Sequence, residues 1–196
     1  MTRIAAVLVR QHMAQAAPPG VDPGKFLEAV AEDTYEMVAG LELVTPVLIT
    51  SVPGLDDIVW PGTEVIDIDD GESLKHILGR LRGDQVAVIN ADAPDLPPLL
   101  VGKLFRELGR AEITICPAEN GGAVAMACAL PAPEWAAPDL DAADVAAALR
   151  AQAPGPRKVA TTPGWHRLRT PEDVERLDPG LEGWDNTRAL VTPEPW

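Results

Sequence analysis

The stretch Gln85-Val-Ala-Val-Ile-Asn90-Ala-Asp92-Ala-Pro94-Asp95-Leu-Pro97-Pro98 decides how the rest of the chain is read. Gln85–Asn90 is a nearly unbroken apolar run, the pattern of a central strand buried on both faces of a sheet. Pro97 or Pro98 suits the first position of a helix, where the missing N–H has no partner to lose. A strand passing straight into a helix is where open α/β sheets hold ligands, beyond the carboxyl ends of the strands. Asp92 lies in that junction, and a short carboxylate there can hold Mg²⁺ against substrate phosphates. The plainer alternative makes Asp92 and Asp95 turn and cap residues only. Pro94, Pro97 and Pro98 stiffen the turn under either reading.

Outward from this junction, strand-length apolar runs alternate with segments of helical period. That alternation predicts an α/β domain of three layers, a mostly parallel sheet with helices on both faces. Ile4–Val9 reads as the first strand, followed by an Ala- and Pro-rich loop that ends at Asp22-Pro23. Asp22 is a good helix cap and Pro23 a good first residue, and the helix extends to about Val38. Leu43–Thr50, with Pro46 marking it as irregular or near an edge, and Glu64–Ile68 are further strands. Ser73 caps a helix with the apolar stripe Leu74, Ile77, Leu78 and Leu81. Beyond Asp92, a helix ends near Gly109, and strands Glu112–Cys116 and Ala123–Leu130 follow. An Ala-rich helix Ala142–Ala151, a strand Lys158–Thr161 and a short helix Pro171–Leu177 complete the order. Residues 1–178 are read as one domain and 179–196 as a turn-rich C-terminal tail.

The 196 residues are 46% apolar, enough for one substantial core. With 16 basic against 30 acidic residues the formal charge is −14. Such a field repels phosphate backbones, so neither a nucleic-acid polymer nor an anionic membrane is expected as a partner. It also repels a nucleotide triphosphate, unless a bound cation or a local group of Lys and Arg offsets the charge. Arg10 closes the N-terminal apolar run too soon for a signal core or a membrane span. Cys116 and Cys128 have neither disulfide nor zinc spacing and read as reduced, buried thiols. A soluble, cytoplasmic protein is the expectation.

Asp92-Ala-Pro-Asp-Leu-Pro-Pro98, followed by Pro117-Ala-Glu-Asn-Gly-Gly122, resembles a family of bacterial glycosyltransferase-like proteins. These are described as radical-SAM- or selenodomain-associated transferases. More distantly the chain is similar to 2-phospho-L-lactate and molybdenum-cofactor guanylyltransferases, all of the GT-A nucleotide-diphospho-sugar transferase fold. The resemblance implies a nucleotidyl- or glycosyltransferase that takes an NTP or NDP-sugar and a small-molecule acceptor. It implies a catalytic, metal-binding role for Asp92, with Mg or Mn as the ion. It places Glu119, Asn120, Gly121 and Gly122 at the substrate. The family's closing Trp-x-Asp-x-Asp-Thr-Pro-Glu-Asp segment is matched by Trp165-His166-Arg167-Leu168-Arg169-Thr170-Pro171-Glu172-Asp173.

Three departures from the family pattern bear on chemistry. The loop after the first strand has only Arg10, with Lys25 further on, to meet phosphates. Asn120 stands where the family has an Asp, and an amide brings no negative charge to a metal. Arg167 and Arg169 stand where the family has acids, one of them expected to complete the metal site. A guanidinium cannot ligate Mg²⁺ and repels it, yet it can grip phosphate through paired donors. Either the arginines replace the ion in neutralising a phosphate, or catalysis has decayed. In the second case the protein is a ligand- or partner-binding subunit of a biosynthetic pathway, with a second copy or a pathway protein as partner. Two solvent-facing arginines around a buried Leu168 is the ordinary alternative.

Other residues carry weaker signals. Asp67-Ile-Asp69 spells Asp-x-Asp but sits at a strand end entering the turn Asp70-Gly71. His12, His76 and His166 lack metal spacing, and no Ser-His-Asp or Cys-His set is apparent. Of the five Trp, all in loops or the tail, Trp165 matches the family's Trp. At a ligand rim an indole can stack on a base or sugar, while covering the ends of the sheet is the commoner role of such residues.

Overall fold

The computed structural model describes residues 1–192. Seven strands, β1 Arg3–Val9, β2 Thr45–Thr50, β3 Glu64–Asp67, β4 Gln85–Asn90, β5 Ile113–Pro117, β6 Ala123–Ala129 and β7 Val159–Thr161, form one sheet. Their order is β3-β2-β1-β4-β6-β5-β7. Strand β6 runs antiparallel to β4 and β5, while the other pairings are parallel. Six strands therefore end on one edge of the sheet, and β6 begins there. Helices α1 Pro23–Ala39 and α3 Pro98–Glu107 cover one face, and α2 Leu74–Arg80 and α4 Val145–Gln152 the other. This is the expected α/β architecture, and most bounds fall within a few residues of those read from the sequence.

Local chemistry explains the elements. The Asp22 carboxylate accepts from Lys25 N at 2.9 Å to cap α1, with Pro23 at its first position. Ser73 and Asp144 cap α2 and α4 in the same way. Strands β1 and β4 are buried on both faces and pair in parallel, with Leu8 opposite Asn90. That pairing joins the two strands from which the chain winds outward in opposite directions, the switch point at which α/β sheets open a ligand crevice.

Two segments differ from the sequence reading. The loop after β1 contains a 3₁₀ turn, Gln11–Ala16, which buries Met13 and Ala16. The stretch after Asp178 is turn-rich but includes a further helix, α5 Asp185–Val191, packed on α1. The buried Asp33 carboxylate of α1 binds the start of that helix, accepting from Asn186 N, Asn186 Nδ2 and Thr187 N. Trp184 is buried beside it. Residues 193–196 of the segment read as a tail lie outside the described residues. No described helix is long and apolar enough to cross a membrane.

Candidate functional site

The site is built at the carboxyl edge from five segments: the end of β1, the β4–α3 turn, the β5–β6 turn, the connector between β6 and α4, and the chain leaving β7. Strand β7 continues beside β5, because Thr162 N donates to Ile115 O and Trp165 N to Pro117 O. Glu119 N returns a bond to Trp165 O at 2.7 Å. The segment then crosses to β4, where Leu168 N donates to Asp92 O at 2.7 Å. Backbone bonds thus deliver residues 165–169 onto the Asp92 turn.

Arg167 is the central side chain of this arrangement. It is 1% exposed, as is Asp92. Its Nε lies 2.9 Å from Asp92 Oδ1 and its Nη2 2.9 Å from Asp92 Oδ2, a forked charge-assisted pair. Nη1 donates to Asp141 Oδ1 at 2.7 Å and to Leu140 O at 3.1 Å. Burial works against the guanidinium charge, but Asp92 and Asp141 outweigh it and hold Arg167 more firmly protonated than usual. Burial likewise pushes the Asp141 carboxyl upward, yet Arg167, His12 and Arg169 bring it below the ordinary carboxylate range.

The other sequence-predicted residues are arranged around this pair. The Asn120 amide is engaged by the Arg167 backbone: Nδ2 donates to Arg167 O at 2.7 Å and Oδ1 accepts from Arg167 N. Its amide serves the backbone, which an Asp could not do with a donor. Gly121 and Gly122 have φ of +94° and +78°. A Cβ on Gly122 would lie 2.6 Å from Leu140 O and 2.9 Å from Arg167 Nη1, so this glycine makes room for the guanidinium. Glu119 is exposed on the same turn. Trp165 does not present a free indole: Nε1 donates to Asp95 at 3.1 Å and the ring stacks on His166, centroids 4.6 Å apart. Lys25 is exposed at the start of α1 and lines neither crevice described next.

Two openings flank the Arg167 pair. The larger, about 470 Å³, runs along the ends of β1 and β4 and is lined by Arg10, Asp70, Lys75, Asn90 and Asp141 among others. Arg10 is tied down here, donating to Asp70 O at 2.5 Å and Glu72 O at 2.7 Å. The smaller, about 260 Å³, is lined by His12, Met13, Gln15, Asp92, Asp141 and Arg167–Arg169. His12 stands between the two, 3.5 Å from both Asp70 and Asp141. The Arg169 side chain is exposed at the smaller opening and pairs with no carboxylate among the described residues.

The metal expectation meets an obstacle at Asp92. Both its carboxylate oxygens already bond a cation, and among the described residues no three His, Cys, Asp or Glu side chains converge on one point. A divalent ion does not fit this set of partners, because it would have to share Asp92 with a buried guanidinium. Sequence reasoning missed Asp141 and Asp95. Asp141 lies in a Pro-rich connector with no motif around it, and Asp95 reads as a cap.

The chain can now be set beside known proteins. Residues 66–143 match the DUF2064 family model, described as an uncharacterized protein conserved in bacteria. This segment includes Asp92, the Gly121-Gly122 turn and Asp141, and stops before Arg167. No curated protein matches the sequence. Among solved structures, a candidate nucleotide-diphospho-sugar transferase from Desulfovibrio desulfuricans G20 aligns with a TM-score of 0.67 and 17% identity. That alignment covers 96% of this chain and 95% of the other. CMP:2-keto-3-deoxy-manno-octonic acid synthetase, solved with CTP, aligns with a TM-score of 0.60 and 12% identity over 89% and 96% of the chains. Rv0371c of Mycobacterium tuberculosis H37Rv, solved with manganese, aligns at 0.54 and 16% over 97% and 98%. Outside the DUF2064 segment as within it, the fold is that of nucleotide-diphospho-sugar transferase-like proteins.

Proposed function

We propose that this chain binds a nucleotide or nucleotide-sugar in the crevice over the ends of β1 and β4. We further propose that it acts as a ligand-binding member of the transferase-like fold, without metal-dependent transfer. The observation that carries this reading is the buried Arg167–Asp92 pair, which occupies the carboxylate a catalytic ion would use. The fold and the CTP bound by one structural neighbour support the ligand class. Carboxylates along the larger opening suit ribose hydroxyls and base amino groups, which are donors. The phosphates belong toward Arg169, whose fork is available and whose charge offsets the surrounding acids. The finer kinship to radical-SAM- or selenodomain-associated transferases rests on the Asp92–Pro98 and Pro117–Gly122 motifs. With it comes a pathway context supplying a small-molecule acceptor and a protein partner, a second copy of the chain included.

Titration with CTP, GTP, UTP and UDP-sugars, followed by thermal shift, tests the proposal. At least one of these raises Tm equally in EDTA and in Mn²⁺; at a hundredfold excess over Kd the gain is about 2.7 kcal/mol. Arg169→Ala weakens that binding about tenfold, the scale of one charge-assisted hydrogen bond. No stabilisation by any member of the panel overturns the reading. A second reading, metal-free transfer, is favoured by Arg169 lying beside Arg167 at one opening. Conversion of labelled nucleotide in EDTA distinguishes it from binding alone.

A further inference from the structure

We infer that Arg167 is a built-in cation seated over a latent divalent-ion site, so that a charge which could be supplied by a dissociable metal is here part of the chain. This deepens the reading of the same crevice, but it rests on side chains alone and its test uses no nucleotide. One guanidinium collects Asp92 through Nε and Nη2 and Asp141 through Nη1. The two carboxylates come from distant segments, the β4–α3 turn and the β6–α4 connector, and converge only on this side chain. Two acids facing one point with a single positive charge between them satisfy the electrostatics of a hard-cation site, except that nitrogen donors take the place of the ion.

The surroundings are shaped for the guanidinium. Gly122 is bare where Nη1 passes, with a Cβ there reaching to 2.9 Å. Leu140 O is a third partner of the group, accepting from Nη1. The Asn120 amide clasps the Arg167 backbone on both its N–H and its carbonyl. A side chain held at both its backbone and its tip does not swing aside for an incoming ion. As long as Arg167 is in place, the carboxylates are closed to metal. Replacing it with an acid reverses the sign of the charge at the centre and leaves three carboxylates around one cavity.

Mn²⁺ binding to the purified full chain, followed by the electron paramagnetic resonance signal of free Mn²⁺, tests the inference. The comparison uses the wild type, Asp92→Asn, Arg167→Ala, Arg167→Asp and the double variant Arg167→Asp/Asp92→Asn. The wild type and Asp92→Asn take up Mn²⁺ equally weakly. Arg167→Asp binds one Mn²⁺ per chain at least about tenfold more tightly than the wild type, and adding Asp92→Asn removes the gain. Its Tm rises with Mn²⁺ while the wild-type Tm does not. Saturable wild-type binding that Asp92→Asn abolishes overturns the inference, since the ion then displaces Arg167. A folded Arg167→Asp that takes up no Mn²⁺ also overturns it. Should Arg167→Asp not fold, Arg167→Ala supplies the same comparison with two carboxylates. A nucleotide result of either sign leaves these outcomes unchanged.

Discussion

Asp92 and Asp95 lie three residues apart on one turn, both buried, and serve different ends. Asp92 meets a permanent cation at the crevice wall, the Arg167 fork. Asp95 faces inward and is met by neutral or titratable donors: His166 Nε2 at 2.9 Å, Trp165 Nε1 at 3.1 Å and Asp178 N at 2.9 Å. Apart from Asp178, the side-chain partners of both come from the same short stretch after β7. Within that stretch Trp165 and His166 turn to Asp95 and the next residue, Arg167, turns to Asp92. One carboxylate is therefore part of a charge-compensated site, and its neighbour fastens the C-terminal segment to the body. What a buried acid does is settled by the donor brought to it.

The most severe way to break this comparison is to remove the cation. Arg167→Ala leaves Asp92 as an uncompensated buried charge and is expected to lose about 3–5 kcal/mol in urea unfolding at neutral pH. His166→Ala removes a bond to an acid that keeps two others, and should cost about 1–3 kcal/mol. Equal losses would erase the distinction between the two carboxylates. Gly122→Ala tests the room made for Arg167. A methyl group at φ +78° against Leu140 O should cost about 2 kcal/mol, read from the same unfolding curves.

Asp95→Asn keeps one acceptor oxygen but turns an amide N–H₂ against the remaining donors, an expected cost of about 1–3 kcal/mol by urea unfolding.

Acid sharpens the contrast further. The folded Asp141 carboxyl titrates below its ordinary range, so between the folded and unfolded values the unfolded chain binds more protons. Its contribution is thus present above the ordinary carboxylate range and lost as pH falls through the folded value. Asp141→Asn should flatten that acid limb in a pH series of Tm values, whereas an unchanged limb would separate Asp141 from the Arg167 pair. The smallest effect belongs to Arg169→Ala, which should alter stability by less than about 0.5 kcal/mol by urea unfolding. A larger loss would make Arg169 part of the buried network instead of the ligand surface.

Burial also separates the two cysteines from any chemistry at this edge. The Cys116 thiol is pushed up to about 11 and Cys128 to about 12. Both remain thiols at neutral pH, as their positions on buried strands led one to expect.

Much of the fold was legible because its signals are local. Asp22-Pro23 caps a helix through atoms three residues apart, and Gln85–Asn90 is apolar on both faces whatever lies beside it. The helix α5 escaped notice because its anchor is Asp33, more than 150 residues away in sequence. At the site, the turn around Asp92 and the unusual Arg167 were visible as sequence features. Their contact was not, nor was the share taken by Asp141. Asn120 was read as a substrate contact that had lost its charge, whereas its amide supplies both the donor and the acceptor that hold the Arg167 backbone.

The sequence by itself determined the order of strands and helices and the strand-end place of Asp92, since periodicity, caps and prolines act over a few residues. It also set an arginine, Arg167, two residues after Trp165 and close before Thr170-Pro171. Only the tertiary structure decided that this arginine turns inward onto Asp92 rather than outward to solvent. Parallel pairing of β7 with β5 carries the segment across the sheet edge, a bare Gly122 admits the guanidinium, and two carboxylates from distant turns compensate its burial.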